Sequence, residues 1–362
     1  MIRRLITGLA LSLVAIAGCG GGEEAAEPTP PGSFFGVAPQ DATSEADLAR
    51  MAAGRVGSYH LFLSWAQVET SPGVFSWSRY DELIGSLALY GLEPIPYVFG
   101  TPTAYAPTRS TPPTTSRRAM GAWERFLRLA VARYGPDGRF WEIFARTHPD
   151  TEPRPLRTWE IWNEQNGPAF WEPEPDPAEY ARLLIRSALA IRRGDPTAEI
   201  MIAGMFATPG GEGAIESSTF LRELYEKPGV ADAADLVAVH PYGPRIEDVR
   251  RQMRETREEM RRGGDGDDGT WVTEIGWGSD PSSDSQLATT PRRQAALLRR
   301  TYSLMLDRRS AWNLRGVLWY TWRDPANPER LCGWCASAGL VDNDLDPKPS
   351  WVEYTRLTGG EP

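Results

Sequence analysis

Cysteine, histidine and lysine are scarce in this chain of 362 residues: there are 3 Cys and 3 His, and among 39 basic residues only Lys227 and Lys348 are lysine. So few Cys and His leave little from which to build a multi-ligand zinc or iron site, and no metal or organic cofactor is expected. A basic excess is missing too. The 39 Lys and Arg face 48 Asp and Glu, a net charge of -9, which argues against a nucleic-acid binder that works by displacing phosphate counterions. The apolar run at 5–17 (LITGLALSLVAIA) falls short of the roughly 20 residues that span a bilayer. The segment after the first strand-like run, GVAPQDA (36–42), is not the Gly-rich turn of a dinucleotide fold. The acidic stretch GGDGDDG (263–269) lacks the spacing and far-end Glu of an EF-hand, so it reads as a turn.

What is present is a globular composition, with 41% hydrophobic and 24% charged residues. Short apolar, β-rich runs recur at 34–38, 55–65, 92–100, 157–163, 199–205, 235–240, 270–276 and 315–322. Amphipathic helical patterns lie between them, most clearly at 77–90, 117–134, 177–193, 245–262 and 290–309. Asp176 followed by Pro177 is a good N-cap and first helical residue. Strands alternating with helices imply parallel pairing and right-handed crossovers. Eight units of about 40 residues predict an α/β fold, a single (β/α)₈ barrel. The stretches 101–117 and 135–156, rich in Pro and Thr, read as long loops. The Arg-rich helix at 245–262 mixes signs at helical spacing, so it reads as a solvated outer face.

The N-terminus reads as an address. Arg3 and Arg4 precede the apolar run, which ends in Ile16-Ala17-Gly18-Cys19. That tetrapeptide resembles the bacterial lipobox, which implies cleavage before Cys19 and lipidation of its thiol. Residues 1–18 are then a lipoprotein signal peptide, and 19–33 a lipidated Cys with a Gly-, Pro- and Glu-rich linker. Residues 34–362 form the folded domain. The expected product is an extracytoplasmic monomer tethered to the cell membrane by lipid rather than by a span.

Chemistry on such a barrel sits at the carboxyl ends of the strands. The fourth strand run leads into WEIWNEQN (159–166) and the seventh into WVTEIGW (271–277), so Glu164 and Glu274 each stand where an apolar strand meets a loop. Two carboxyls facing one cavity suit glycoside cleavage. One, kept neutral, protonates a poor leaving oxygen, and the other attacks or stabilises the cationic sugar centre. Groups about 5–5.5 Å apart give retention of configuration; about 6.5–9.5 Å leaves room for an attacking water and gives inversion.

These residues carry a resemblance. Asn163-Glu164 and Glu274 look like the signature of clan A of the glycoside hydrolases, retaining (β/α)₈ enzymes. LFLSWAQVETSPGVFSWSRYDEL (61–83) resembles the second unit of families 39 and 5, DLVAVHPYG (235–243) their sixth strand, and GVLWYTWRDP (316–325) their eighth. GLVDNDLDPKPSWVEY (339–354) resembles the stretch that leads into their last helix.

The resemblance implies a retaining hydrolase of a β-linked glycan, with carbohydrate as the partner. Glu164 would be the acid/base and Glu274 the nucleophile. Asn163 would bind the sugar 2-hydroxyl and the nucleophile, and Tyr242 would hydrogen-bond Glu274. His240 would lie near the cleft, and Trp319 or Trp322 would be the apolar platform under the sugar. Clan members commonly carry an Arg near the end of strand two, where this chain has His60. His donates a hydrogen bond without carrying a permanent charge, so another Arg fills the gap or the site works in mild acid. The same residues also fit a transglycosylase or a carbohydrate-binding pseudoenzyme.

Glu69 and Glu160 read as structural acids paired with Arg. Trp171, Trp277 and Trp334 are candidates for sugar subsites. Cys332 and Cys335, in CGWC, read as a short loop disulfide of an oxidising compartment.

Overall fold

The structure, a computed structural model, describes residues 29–208, 211–327 and 332–362. The expected signal peptide 1–18, Cys19 and most of the linker lie outside the described residues. Each of the eight apolar runs forms a strand: β1 Phe35–Val37, β2 Ser58–Ser64, β3 Glu93–Phe99, β4 Thr158–Ile161, β5 Glu199–Ile202, β6 Leu236–Val239, β7 Gly269–Ile275 and β8 Leu314–Trp319. The runs are apolar throughout rather than alternating because a strand between lumen and helices is buried on both faces. Every strand pairs in parallel with the next, and β8 closes on β1. The longest register joins β2 to β3 from Ser58↔Glu93 to Ser64↔Phe99.

One main helix follows each strand: Glu45–Ala53, Ser78–Leu89, Arg117–Tyr134, Pro177–Arg192, Ser217–Tyr225, Ile246–Gly263, Pro291–Asp307 and Pro349–Thr358. The (β/α)₈ barrel expected from the sequence is the fold. Asp176 caps as expected, accepting from the amides of Ala178 and Glu179 with Pro177 at the first position. The stretch 135–156 is not a plain loop: Arg139–Thr147 is helical and buries Phe140, Trp141 and Phe144. Pro136 and Pro149 fence this segment, leaving too few turns for a periodic signal.

Trp65, Trp123, Trp159, Trp319 and Trp351 are fully buried between barrel and helices. The Arg-rich helix Ile246–Gly263 carries ion pairs such as Arg251–Glu255 and Arg261–Glu258 on its solvent side. No helix among the described residues is long and apolar enough to cross a membrane.

Candidate active site

The chain leaves β4 through two left-handed residues, Trp162 (φ 84) and Glu164 (φ 42), on either side of buried Asn163. Such backbone costs about 1–3 kcal/mol per residue and persists only where its surroundings enforce it. Here the Trp162 amide donates to the Val98 carbonyl at 2.8 Å and the Glu164 amide to Gly204 at 3.0 Å. The effect is to turn the Glu164 carboxylate toward the axis, where Glu274 arrives at the end of β7. A carboxylate oxygen of each lies within 4.8 Å of the other and of a ring nitrogen of His240. Sequence reasoning placed these two acids at separate strand ends; closure of the barrel brings them together.

Tyr242 donates its hydroxyl to Glu274 Oε2 at 2.8 Å, the contact expected for it. His240 lies beside the two acids, near the cleft as expected. It is fully buried. Its Nδ1 lies 2.9 Å from Glu164 Oε1 and 3.8 Å from Glu274 Oε2, and its Nε2 lies 3.1 Å from Thr273 Oγ1. The ring fits because residue 204 is Gly; a Cβ there would fall 2.2 Å from Nε2.

Burial by itself would lower the His240 pKa. The charges of Glu274, Glu164 and Glu160, with the hydrogen bond to Glu164, outweigh it and raise the pKa to about 9. The ring is then an imidazolium at neutral pH, donating from both nitrogens. Glu164, His240 and Glu274 thus converge, with a side-chain oxygen or nitrogen of each within 4.8 Å of the others.

A raised pKa on a base means that its charged form stabilises the fold fully below the ordinary value of 6.5 and that this is lost as pH rises through about 9. The contribution is on the order of 3 kcal/mol. The melting temperature is therefore expected to fall as pH rises through that window, and to lose this dependence in His240→Asn. Identical melting profiles for the two proteins would exclude a charged His240.

Burial also raises the Glu274 pKa; His240 opposes this, Glu164 adds to it, and His60 and the Tyr242 hydroxyl oppose it.

His60 is buried and does not touch Glu274. Its Nε2 pairs with Glu160 Oε2 at 2.8 Å, so Glu160 is a buried acid whose partner is a His rather than an Arg. No Arg side chain among the described residues hydrogen-bonds Glu274. Glu69 is the structural acid expected, held by Trp65, Gly73 and Tyr105, with Arg125 at 3.5 Å. Asn163 is buried beside Glu164 with no protein partner for its Oδ1, and no hydrogen bond links it to Glu274.

Neither Trp319 nor Trp322 is a sugar platform. Trp319 points out to the helix layer, packing on Trp277 and Tyr302, and its Nε1 donates to Ala338 O at 3.0 Å. Trp322 donates to Asp47 Oδ1 at 2.7 Å and packs on Trp351. Tyr320, the residue after Trp319, faces the opposite way, into the site. Its ring contacts those of Tyr242 and Trp334, at 6.3 Å and 5.4 Å. Of the three other Trp candidates, Trp171 and Trp277 are core residues, and Trp334 alone reaches the site, 5.1 Å from the Tyr242 ring.

Trp334 stands between Cys332 and Cys335, which are disulfide-bonded. Replacing both cysteines by Ser is expected to loosen this wall and raise KM about 2- to 10-fold, the worth of one aromatic contact, with kcat little changed. Steady-state kinetics on the double variant check this, and an unchanged KM would remove Trp334 from substrate binding. Two cavities open at the carboxyl ends of the strands, neither lined by Glu164 or Glu274: one of about 520 Å³ beside Tyr242, with Phe206 and Arg245 in its wall, and one of about 590 Å³ over the ends of β2 and β3, with Ser64, Thr101 and Arg109.

No family model matches the chain. Among curated proteins, an intracellular exo-α-(1→5)-L-arabinofuranosidase of Streptomyces lividans is 30% identical over 108 residues, which is 30% of this chain and 15% of that protein. Among solved structures, a family 39 glycoside hydrolase from the gut symbiont Bacteroides cellulosilyticus matches with a TM-score of 0.66 at 20% identity, over 92% of this chain and 65% of that one. A monomeric β-xylosidase from Caulobacter crescentus matches with a TM-score of 0.62 at 18% identity, over 92% of this chain and 69% of that one. A GH5_18 protein from Bifidobacterium longum, solved with Manβ1-4GlcNAc, matches with a TM-score of 0.66 at 15% identity, over 90% of this chain and 78% of that one. The chain thus spans less than two thirds of the Bacteroides protein and a small part of the Streptomyces one. At these identities the structural matches establish the barrel.

Proposed function

We propose that this protein is a retaining glycoside hydrolase acting on a β-linked oligo- or polysaccharide. The observation that carries the reading is the approach of Glu164 and Glu274 to within 4.8 Å, with the Tyr242 hydroxyl on Glu274. An approach this close suits direct attack by a carboxylate. The glycosidases among the similar proteins support the same reading.

In the first step a Glu274 oxygen bonds to the anomeric carbon, the bond to the leaving oxygen breaks, and Glu164 gives that oxygen its proton. In the second, Glu164 takes a proton from water, the water oxygen bonds to the anomeric carbon, and the ester to Glu274 breaks. The His240 imidazolium steadies the negative charge as it passes between the two carboxylates. Asn163 Oδ1 is free to accept a sugar hydroxyl, and Tyr320 with Trp334 forms the apolar wall. Digestion of a glycan panel, with anomer-resolved NMR of the first product, tests the reading. A β product from a β-linked substrate is expected; an α product would overturn it.

We also infer an extracytoplasmic, lipid-anchored protein from the tetrapeptide ending at Cys19, with the signal peptide 1–18 removed. Cys19→Ala is expected to abolish incorporation of labelled palmitate in a bacterial host, and retained label would refute the anchor.

A further inference from the structure

We propose that Glu160 is a positioning residue that acts on Glu164 from beneath, through Gly204, Thr273 and His240. The proposal rests on the reading of Glu164 and Glu274 as the reacting pair. Glu160 lies on β4, four residues before Glu164, and is fully buried in the barrel lumen.

Two routes join the acids. Glu160 Oε1 accepts the Gly204 amide at 2.7 Å, and the carbonyl of the same Gly204 accepts the Glu164 amide at 3.0 Å. The second route is directional. His240 Nδ1–H reaches Glu164 at 2.9 Å, Nε2–H reaches the Thr273 hydroxyl at 3.1 Å, and that hydroxyl donates to Glu160 Oε1 at 3.4 Å. The other oxygen of Glu160 is held by His60 at 2.8 Å. Every member of this chain has its partner, so rotating or neutralising one member disturbs the next.

The titratable side chains around Glu160 and His240 come from every part of the lumen: His60 on β2, Tyr97 on β3, Glu164 after β4, Tyr242 after β6, Glu274 on β7, Tyr320 after β8, and Tyr180 from helix Pro177–Arg192. Glu160 adds a negative charge below the reacting pair. A nearby negative charge raises the proton affinity of its neighbours, and the Glu160 charge does so at His240. Without it, His240 should give up its proton at lower pH.

Glu160→Gln keeps the shape and removes the charge. We expect the ¹⁵N-imidazole titration of His240 to move down by about one pH unit. The kcat should fall more than KM rises. Thr273→Val keeps every charge and cuts the chain, so kcat should fall while the His240 titration stays in place. A folded Glu160→Gln protein with an unmoved His240 titration overturns the proposal, as does a His240 titration in Thr273→Val that shifts as far as in Glu160→Gln. If Glu160→Gln does not fold, the wild-type titration decides: a neutral His240 at pH 7 overturns the proposal. The NMR measurements need no substrate, so failure of the proposed hydrolysis is distinguishable from failure of this relay.

Discussion

Glu274→Ala is expected to lower turnover of an activated aryl β-glycoside by about 10⁴-fold or more, a loss of at least about 5 kcal/mol of transition-state stabilisation. The size follows from its proposed part: without the carboxylate no covalent intermediate forms, and the remaining groups can only bind and polarise. The fold should survive, since the one hydrogen bond lost is that from Tyr242, and a desolvated carboxyl beside Glu164 is removed with it. Azide added to the variant should enter the vacated space, bond to the anomeric carbon as the aryloxide departs, and yield a glycosyl azide of the same anomeric hand as the missing intermediate. Product NMR and steady-state rates measure both effects. Unaltered hydrolysis by the variant would refute the assignment of Glu274.

Glu164→Ala should divide substrates by leaving group. For a sugar leaving group, the loss of proton donation is expected to cost about 10²- to 10⁴-fold. A dinitrophenyl group departs without a proton, so the first step should be nearly spared. The second step then lacks its base, and the glycosyl-enzyme should accumulate as a burst of released phenol ahead of slow turnover. Stopped-flow absorbance shows the burst. Equal losses for good and poor leaving groups would mean that Glu164 donates no proton.

The fold was legible in the chain because the strands of a covered parallel barrel are apolar throughout and each is followed by an amphipathic helix. Phe35–Val37 and Leu236–Val239 stood out as short apolar runs although they are three and four residues long. The helix Arg139–Thr147 was not visible, because its buried aromatics occupy barely two turns between prolines. The two acids were legible because each closes an apolar strand run. Their neighbours were less so. A strand's sequence does not say which alternate set of side chains faces inward, and Trp319-Tyr320-Thr321-Trp322 offered aromatic residues in both phases. The structure turns Tyr320 inward, while Trp319 and Trp322 satisfy their indole N–H groups on Ala338 and Asp47.

The sequence by itself determined the eight units, the strand ends at which chemistry can sit, and the identity of the two acids placed there. Only the tertiary structure decided what His60, Glu160 and His240 do. Their partners lie on other strands: 100 residues separate His60 from Glu160, and 76 separate His240 from Glu164. Periodicity reports which face a residue occupies along its own strand. Which side chains meet in the lumen depends on strand order, register and closure, and these are fixed by packing the whole chain at once.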